Sequence, residues 1–460
     1  MANQLPRGRV RRAAKVGRLA GGQTARGYAT KAANLTRSAE GRRTAADRRQ
    51  LQAAEQIFEV LGQMKGAAMK AGQVASFVDT GAFPSEFRER IQSKLAELRE
   101  AAPRVPFERM RKVMEDDLGE PLDSAFAEFD EEAVAAASIG QVYRARLDDG
   151  RDVAVKVQYP GVAQAVRADL QNLGLIMRVA KRIAPGMDAK AMTREIRERL
   201  TDELDYEHEA QQHRAFARTW RGHPFIYVPP VVTEHCSEHV LVTEWVDGMG
   251  FEEVKAMGRE ARDRFGEIVF RFFFGSLYRN GHFSGDPHPG NYRLMADGRV
   301  AFIDFGMTKR VSREDLQAEV RAIRAAIDGD ADELHRQLAA MGFFDPADEQ
   351  VTPQGVFEHF HDVTAWYIED REVTITRELV ARVLIDFGDP RSRHWQLMRH
   401  ETMPPQAMLA RRMEALTLGV LGQLEATANW HLIAREWLFD DPPSTELGEL
   451  ERPFHARVAA

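Results

Sequence analysis

Two short polar runs near the middle of the chain constrain its fold and chemistry more than any other feature. Asp286-Pro287-His288-Pro289-Gly290-Asn291 is followed, thirteen residues after Asn291, by Asp304-Phe305-Gly306. The two runs offer two carboxylates and one amide, and such hard oxygen donors suit magnesium or manganese. The pattern therefore predicts that Asp286, Asn291 and Asp304 lie together at one metal-dependent site.

Four weaker features precede these runs. Taken singly, each has an ordinary structural explanation that is at least as good as a functional one. In chain order these explanations are a strand end of small residues, a solvated lysine, a charged helix face and a buried strand. The first has the spacing GxGxxGxV of a loop that covers phosphates, with alanine in the first two glycine places. In chain order the four are Ala135-Ala136-Ala137-Ser138-Ile139-Gly140-Gln141-Val142, Val153-Ala154-Val155-Lys156, the acidic run 203–209, and the segment 240–248 that ends in Asp247-Gly248.

All five features stand in the order that protein kinases use, so the sequence predicts an α+β, protein-kinase-like two-lobe fold that binds ATP with Mg²⁺ (or Mn²⁺). Phosphoryl transfer depends mainly on positioning and charge neutralisation. We assign Asp286 to the attacking oxygen, Asn291 and Asp304 to the metal ions, and Glu209 to the orientation of Lys156. The predicted nucleotide contacts are Ala135, Ala136, Ala137, Ser138, Lys156 and the backbone of Glu244 and Val246.

Local patterns also predict the elements around the site. Strands are expected over 133–137, 141–147 and 152–158, and the turn Asp148-Asp149-Gly150 favours a β-hairpin between the last two. A strand pair is expected across 226–246, and mostly helix beyond Gly248. In a helix over the acidic run, Asp205 and Glu209 would share one face.

Several departures from protein kinases point to a narrower group. Ser284 and His288 stand where the kinase loop has histidine and lysine, and no Ala-Pro-Glu motif or long activation segment follows Gly306. In these departures the chain resembles the UbiB (AarF-related) family of atypical kinase-like proteins. Three further motifs carry the resemblance: Lys70-Ala71-Gly72-Gln73, the alanine-rich run 135–138 and Glu203-Leu204-Asp205.

The resemblance implies a helix that carries Lys70 and Gln73, folds over the active site and blocks access of peptides. In that arrangement Lys70 contacts Glu203 and Asp205, and Gln73 lies near Lys156 and Glu209. The resemblance thus implies a regulatory role for Lys70, Gln73, Glu203 and Asp205. The resemblance also implies ATPase or small-molecule kinase activity, a lipid or quinone-precursor ligand, and association with membranes. A nucleotide-switched regulator of a membrane complex and an ordinary protein kinase are the alternative functions.

Composition sets the expected domains and location. Residues 1–50 form a basic arm, 51–102 a helical extension, 103–246 an N-lobe with a helical insertion at about 160–198, and 247–460 a helical C-lobe and tail. Cys236 is the single cysteine, which excludes an internal disulfide and fits a reducing cytosol. No apolar stretch approaches the roughly 20 residues of a spanning helix, so we expect membrane contact to be peripheral, at the inner face.

The basic arm leaves several interpretations open. Arginine and lysine crowd residues 7–49 although the whole chain has a formal net charge of -7. The arm could be solvated, resemble a transit peptide, bind nucleic acid or meet anionic lipid headgroups. We expect contact with an anionic membrane surface and do not expect nucleic acid to be a partner.

The helix that is expected to fold over the active site leads to a testable prediction. Lys70 and Gln73 are three residues apart, so one helix can present both to a neighbouring site. Lys70→Ala and Glu203→Ala should each change ATP affinity or turnover, and the double variant should show a non-additive effect because residues in contact are energetically coupled. Additive effects, or no effect, in nucleotide-binding and phosphate-release assays would mean that the helix does not cover the active site.

Overall fold

The computed structural model describes residues 105–137, 139–164, 166–167, 194, 197, 204–389 and 391–459. The predictions for the basic arm, the helical extension with Lys70 and Gln73, Ser138, Glu203 and most of the helical insertion lie outside the described residues. The chain divides into two compact units, and the larger consists of Phe107–Ala135, Gln141–Val157 and Asp205–Ala460. In the smaller unit, Tyr159 N donates to Ile139 O (2.8 Å) and the Gln158 side chain donates to Leu204 O (2.8 Å).

The N-terminal part of the larger unit is built on an antiparallel sheet. Helices α1 (Phe107–Leu118) and α2 (Leu122–Ala125) precede strands β1 (Glu128–Phe129), β2 (Ala135–Ala136), β3 (Gly140–Arg146) and β4 (Asp152–Gln158), and β6 (Val240–Glu244) completes the sheet. The strand order is β1-β3-β4-β6, with β2 also pairing with β3. Val153, Val155 and Val157 are fully buried on one face of β4, as the alternation of its side chains requires. The predicted strands over 141–147 and 152–158 are confirmed, and Gly150 (φ +85°) makes the turn between them.

Two local predictions differ from the structure, the first entirely and the second in part. Asp205 does not share a helix face with Glu209, because it precedes helix α3 (Tyr206–Thr219) as its N-cap and accepts a hydrogen bond from His208 N (2.8 Å). The pair expected across 226–246 is present only as an antiparallel bridge between Val231 and Thr243. The two strands of the segment lie in different sheets: β5 (Ile226–Tyr227) pairs with β9, whereas β6 pairs with β4. Short-range spacing could not reveal the second arrangement, because β9 lies more than 70 residues further along the chain.

The remainder is mostly helical, as predicted. Short strands β7 (His282–Ser284), β8 (Tyr292–Leu294), β9 (Val300–Phe302) and β10 (Thr308–Arg310) carry the two polar runs between them. The helices surround α5, whose central residues are buried on every side. In chain order these elements are α4 (Phe251–Lys255), α5 (Arg259–Tyr278), α6 (Arg313–Asp328), α7 (Ala331–Ala340), α8 (Pro353–Ile368), β11 (Val373–Thr374), α9 (Arg377–Gly388), α10 (Trp395–Met398), α11 (Pro405–Leu424), β12 (Thr427–Ala428), α12 (Trp430–Leu438) and α13 (Glu446–Ala459).

Within the described part of the chain, no helix combines the length and apolarity needed to cross a membrane. The 20-residue helix α5 contains Arg271, which is fully buried. The guanidinium group contacts Glu267 (2.7 Å), Glu436 (2.8 Å) and Glu451 (2.9 Å). These carboxylates belong to α5, α12 and α13, so one cation joins three helices.

This network makes a prediction about stability. Arg271→Met removes the cation but leaves Glu436 and Glu451 buried, and breaking a buried ion pair in this way typically costs about 3–5 kcal/mol. We therefore expect a loss of that order in the free energy of unfolding, measured by denaturant titration. Arg336→Met, which removes an exposed pair with Glu333 (2.6 Å), is the control and should cost less than about 1 kcal/mol. Equal losses in the two variants would contradict the assigned role of Arg271.

Candidate active site

A lysine and a glutamate from distant parts of the chain form a short ion pair at the centre of the larger unit. Lys156 Nζ on β4 lies 2.6 Å from Glu209 Oε1 in the first turn of α3. The Glu209 side chain is only 3% exposed and that of Lys156 is 19% exposed. Burial by itself lowers the pKa of Lys156, but the nearby carboxylates of Asp304 and Glu209 outweigh this effect and hold the pKa well above its usual value. The pairing expected from the sequence is thus present.

Tyr206 adds a contact that the sequence analysis missed. Its ring lies 5.1 Å from Lys156 Nζ, measured to the ring centroid, and the residue is 1% exposed. An aromatic face at this distance attracts a cation. Tyr206 lies within the acidic run 203–209, and this position was the only available signal in the sequence.

Asp304 is the third member of this charge cluster. Its Oδ2 lies 3.4 Å from Lys156 Nζ, and its Oδ1 accepts a hydrogen bond from Gly306 N (3.1 Å). Charge-assisted hydrogen bonds are normally 2.7–2.9 Å long, so Glu209 is the closer partner of Lys156. A Cβ at Gly306 would lie 3.3 Å from Glu209 Oε2, so a larger residue there would require the Glu209 carboxylate to shift.

Phe305, the residue after Asp304, packs against helix α3. Its ring lies 4.5 Å from that of Phe216 and 4.7 Å from that of His213, measured between centroids, and both of these residues belong to α3. His213 is fully buried and its Nε2 lies 2.8 Å from Pro229 O, a geometry in which the ring N–H donates to the carbonyl. Burial lowers the pKa of His213 to about 4. The same helix therefore positions both Glu209 and the segment that carries Asp304.

Asp286 and Asn291 form the second half of the site. Asn291 Nδ2 donates to Asp286 Oδ2 (3.2 Å) and to Asp286 O (3.3 Å). Ser284, in the place of the kinase histidine, accepts a hydrogen bond from Asp286 N (3.4 Å). Ile303 N donates to Asn291 O (3.1 Å), which brings Asn291 beside the residue before Asp304. Arg412 of α11, which the sequence analysis did not single out, approaches Asp286 Oδ1 at 3.5 Å.

The donor chemistry of Asn291 and Asp304 fits a divalent cation. One amide and one carboxylate leave several coordination positions to water and phosphate oxygens, which is the usual arrangement for Mg²⁺ in proteins. The longer contact of Asp304 with Lys156 is consistent with a carboxylate that serves a second cation. The metal-binding roles of these two residues remain predictions.

The segment predicted to bind adenine lies where β6 ends. Glu244 N donates to Pro230 O (2.9 Å), so the carbonyl is the backbone group of Glu244 that remains for adenine. The Glu244 side chain accepts a hydrogen bond from Tyr227 Oη (2.6 Å), and Trp245 N donates to Asp152 O (2.9 Å). These contacts fix the segment before Val246. Its contact with adenine remains a prediction, as do those of Ala135, Ala136 and Ala137.

Another group of metal-type ligands does not suit a metal. His223, Glu451 and His455 place their ligand atoms within 4.8 Å of one another. However, His223 Nδ1 accepts hydrogen bonds from the backbone N–H groups of Ile226 (3.0 Å) and Phe225 (3.4 Å). In the neutral ring the proton must then reside on Nε2, which lies 3.2 Å from Glu451 Oε1. The group is better described as a hydrogen-bonded link between His223 and α13.

Comparisons with known proteins agree with this geometry. The model of the ABC1 atypical kinase-like domain matches residues 97–338. The chain is 31% identical over 291 residues to Atypical kinase COQ8B, mitochondrial, of Rattus norvegicus, covering 63% of this chain and 54% of the relative. It is 32% identical over 306 residues to Protein ACTIVITY OF BC1 COMPLEX KINASE 1, chloroplastic, of Arabidopsis thaliana, covering 65% of this chain and 44% of the relative. The chain thus spans about half the length of these curated relatives.

A solved structure extends the likeness beyond the matched domain. The complex of Rv3197 with erythromycin, from Mycobacterium tuberculosis, shares 32% sequence identity with the chain and has a TM-score of 0.62. The match covers 85% of this chain and 97% of that one. The likeness therefore includes part of the helical C-terminal region, which lies outside residues 97–338.

The buried histidines beneath the site generate a prediction about pH. His213 stays neutral in the folded protein down to a pKa of about 4, whereas the unfolded chain protonates it near 6.5. The free energy of unfolding should therefore fall as the pH drops from 6.5 towards 4, by about 1–3 kcal/mol for this residue. Burial also lowers the pKa of His282 to about 4, so His213→Gln should remove about half of the combined pH dependence. Denaturant titrations at several pH values test this, and an unchanged slope in the variant would contradict it.

Proposed function

Because the chain belongs to the ABC1 atypical kinase-like family, also known as the UbiB family, we propose that it binds ATP with Mg²⁺ (or Mn²⁺) and transfers the terminal phosphoryl group to water or to a small molecule. The observation that carries the proposal is the cluster of Lys156, Glu209 and Asp304, in which one ammonium group lies 2.6 Å from one carboxylate and 3.4 Å from the other. This arrangement suits a lysine that contacts phosphates next to a metal-binding aspartate.

Lys156 is the proposed contact for the α- and β-phosphates. Its raised pKa keeps it cationic at every physiological pH. Glu209 holds the ammonium group in place, while the ring of Tyr206 restricts the directions in which the side chain can move. A charge fixed before the nucleotide arrives costs little reorganisation during the reaction.

Asp286 is the proposed residue next to the attacking oxygen. Asn291 and the Ser284 hydroxyl hold the loop that carries it, and one carboxylate oxygen is directed by the Asn291 amide. A divalent cation bound by Asn291 and Asp304 would supply charge neutralisation for the phosphates. The transition state of phosphoryl transfer is loose, so the orientation of the acceptor matters more than strong basicity of Asp286.

The short segment after Asp304 favours a small acceptor. Thr308–Arg310 pairs with His282–Ser284 as β10 and β7, and helix α6 begins at Arg313. These contacts leave no long activation segment between Gly306 and α6 to hold an extended peptide. We propose, from the family resemblance, that the acceptor or partner belongs to isoprenoid quinone or lipid-linked metabolism, and that the protein meets anionic membranes peripherally.

Phosphate release from ATP by the purified chain tests the proposal. The assay compares samples with and without Mg²⁺, and with and without vesicles that contain anionic lipid. Mg²⁺-dependent release, increased by the vesicles, is the expected result. Nucleotide binding without turnover under every condition would overturn the enzymatic proposal and favour the nucleotide-switched regulator.

Asp304→Asn is the sharpest variant for this function. The substitution removes one charge and keeps the side-chain size, so we expect turnover to fall by about 100-fold or more, while the fold is retained. Asp297→Asn is the matched control, because Asp297 lies in the turn between β8 and β9 and its carboxylate accepts hydrogen bonds from the backbone and side chain of Arg299. Parental turnover in Asp304→Asn would refute the metal-binding assignment.

A further inference from the structure

Helix α11 (Pro405–Leu424) lies outside the matched kinase-like domain, yet it presses directly on the run that carries Asp286. A Cβ at Gly285 would come within 2.5 Å of Leu409 Cδ1, a distance that side chains do not tolerate. Leu409 is fully buried and precedes Arg412 by three residues, so both side chains lie on the same face of α11. This face therefore contacts the backbone immediately before the proposed catalytic aspartate.

The guanidinium group of Arg412 joins three parts of the site. Nη1 donates to Gly285 O and lies 3.3 Å from Met307 Sδ, whereas Nη2 lies 3.5 Å from Asp286 Oδ1. The side chain of Arg412 is only 3% exposed. Gly285 precedes Asp286, and Met307 follows the Asp304-Phe305-Gly306 run. One side chain thus contacts both polar runs.

Helix α11 is fixed on more than one side. Lys309 Nζ, just beyond Met307, donates to Gln406 O (2.8 Å). Arg411 forms ion pairs with Glu319 of α6 and with Glu414, and Tyr278 of α5 donates to Glu414 (3.0 Å). These contacts hold α11 in place and thereby fix the position of Arg412 next to Asp286.

We infer that Arg412 is a positioning residue for phosphoryl transfer, which holds the Asp286 carboxylate in the orientation that receives the acceptor. The inference rests on the proposed function. Asn291 donates a hydrogen bond to Oδ2 of Asp286, and Arg412 Nη2 approaches Oδ1. Each oxygen of the carboxylate is therefore held by a different side chain. A buried carboxylate requires such compensation to stay charged. Since the transition state needs little base strength, a carboxylate beside a guanidinium group can still orient the acceptor.

The test begins with Arg412→Met, which keeps much of the side-chain volume and removes the charge. We expect kcat for ATP turnover to fall about 10-fold to 100-fold, since small misplacements of a reacting group have effects of this size. The KM for ATP should change less than about threefold, because Lys156 and Asp304 are untouched. Arg412→Lys should restore part of kcat. A lysine restores the charge but not the two-pronged geometry.

Arg411→Met is the matched control. It removes a neighbouring, buried arginine of the same helix that contacts Glu319 and Glu414 and does not contact Asp286. We expect it to lower the thermal midpoint and to reduce kcat far less than Arg412→Met does, because the contacts of Arg412 with Gly285 and Asp286 remain. An equal loss of kcat in Arg411→Met and Arg412→Met would show that both act only through the stability of α11, and it would overturn the inference.

A double-mutant cycle with Asp286→Asn identifies the residue through which Arg412 acts. If it acts through Asp286, Arg412→Met should cost much less in the Asp286→Asn background than in the parent. Equal costs in both backgrounds, or an unchanged kcat in the single variant, would overturn the inference. If Arg412→Met does not fold, Arg412→Lys takes its place in the cycle with the same criteria. A parent chain without turnover would refute the proposed function itself, so the two failures are distinguishable.

Discussion

The buried pair of Lys156 and Glu209 is the contact on which the site depends. The two residues are 53 positions apart and belong to a strand and a helix. A lysine on β4 and a glutamate in α3 each lose hydration when buried, and this loss is compensated only if the charges meet at short range. The N-cap at Asp205 and the packing of Phe216 against Phe305 fix the start and the last turn of α3. The same packing brings Asp304 Oδ2 to 3.4 Å from Lys156 Nζ.

Features that depend on local spacing could be predicted from the sequence. The strands around Gly150, the position of Lys156 on β4 and the two polar runs follow from alternation, turn chemistry and motif spacing. The contact of Glu209 with Lys156 could also be predicted, because the site required an acidic partner. The placement of Asp205 on the helix face was wrong, because an aspartate that can belong to a helix face can equally well cap the helix. The pairing of β5 with β9 could not be predicted, because it depends on packing between distant segments.

Arg412 and Tyr206 show why other site residues escape a sequence analysis. Nothing in the residues around Arg412 distinguishes it from its neighbour Arg411, and both lie on a helix whose apolar residues suggest only a core position. Their different partners, Asp286 for one and Glu319 for the other, are decided by the direction of each side chain on α11. Motif spacing records the order of residues along the chain. It does not record which distant helix packs against the motif.

The C-terminal helices contact the proposed catalytic run as well as contribute to the stability of the protein. Arg271 joins α5 to α12 and α13, while Tyr278 of the same helix contacts Glu414 of α11. Helix α5 ends four residues before β7, the strand that leads into Asp286. The helix that anchors the tail thus also supports the run that carries Asp286, and α11 contacts the same run through Leu409 and Arg412. Loss of packing around Arg271 would consequently reach Asp286 by two routes, the end of α5 and the face of α11, although Arg271 contacts neither Asp286 nor its neighbours.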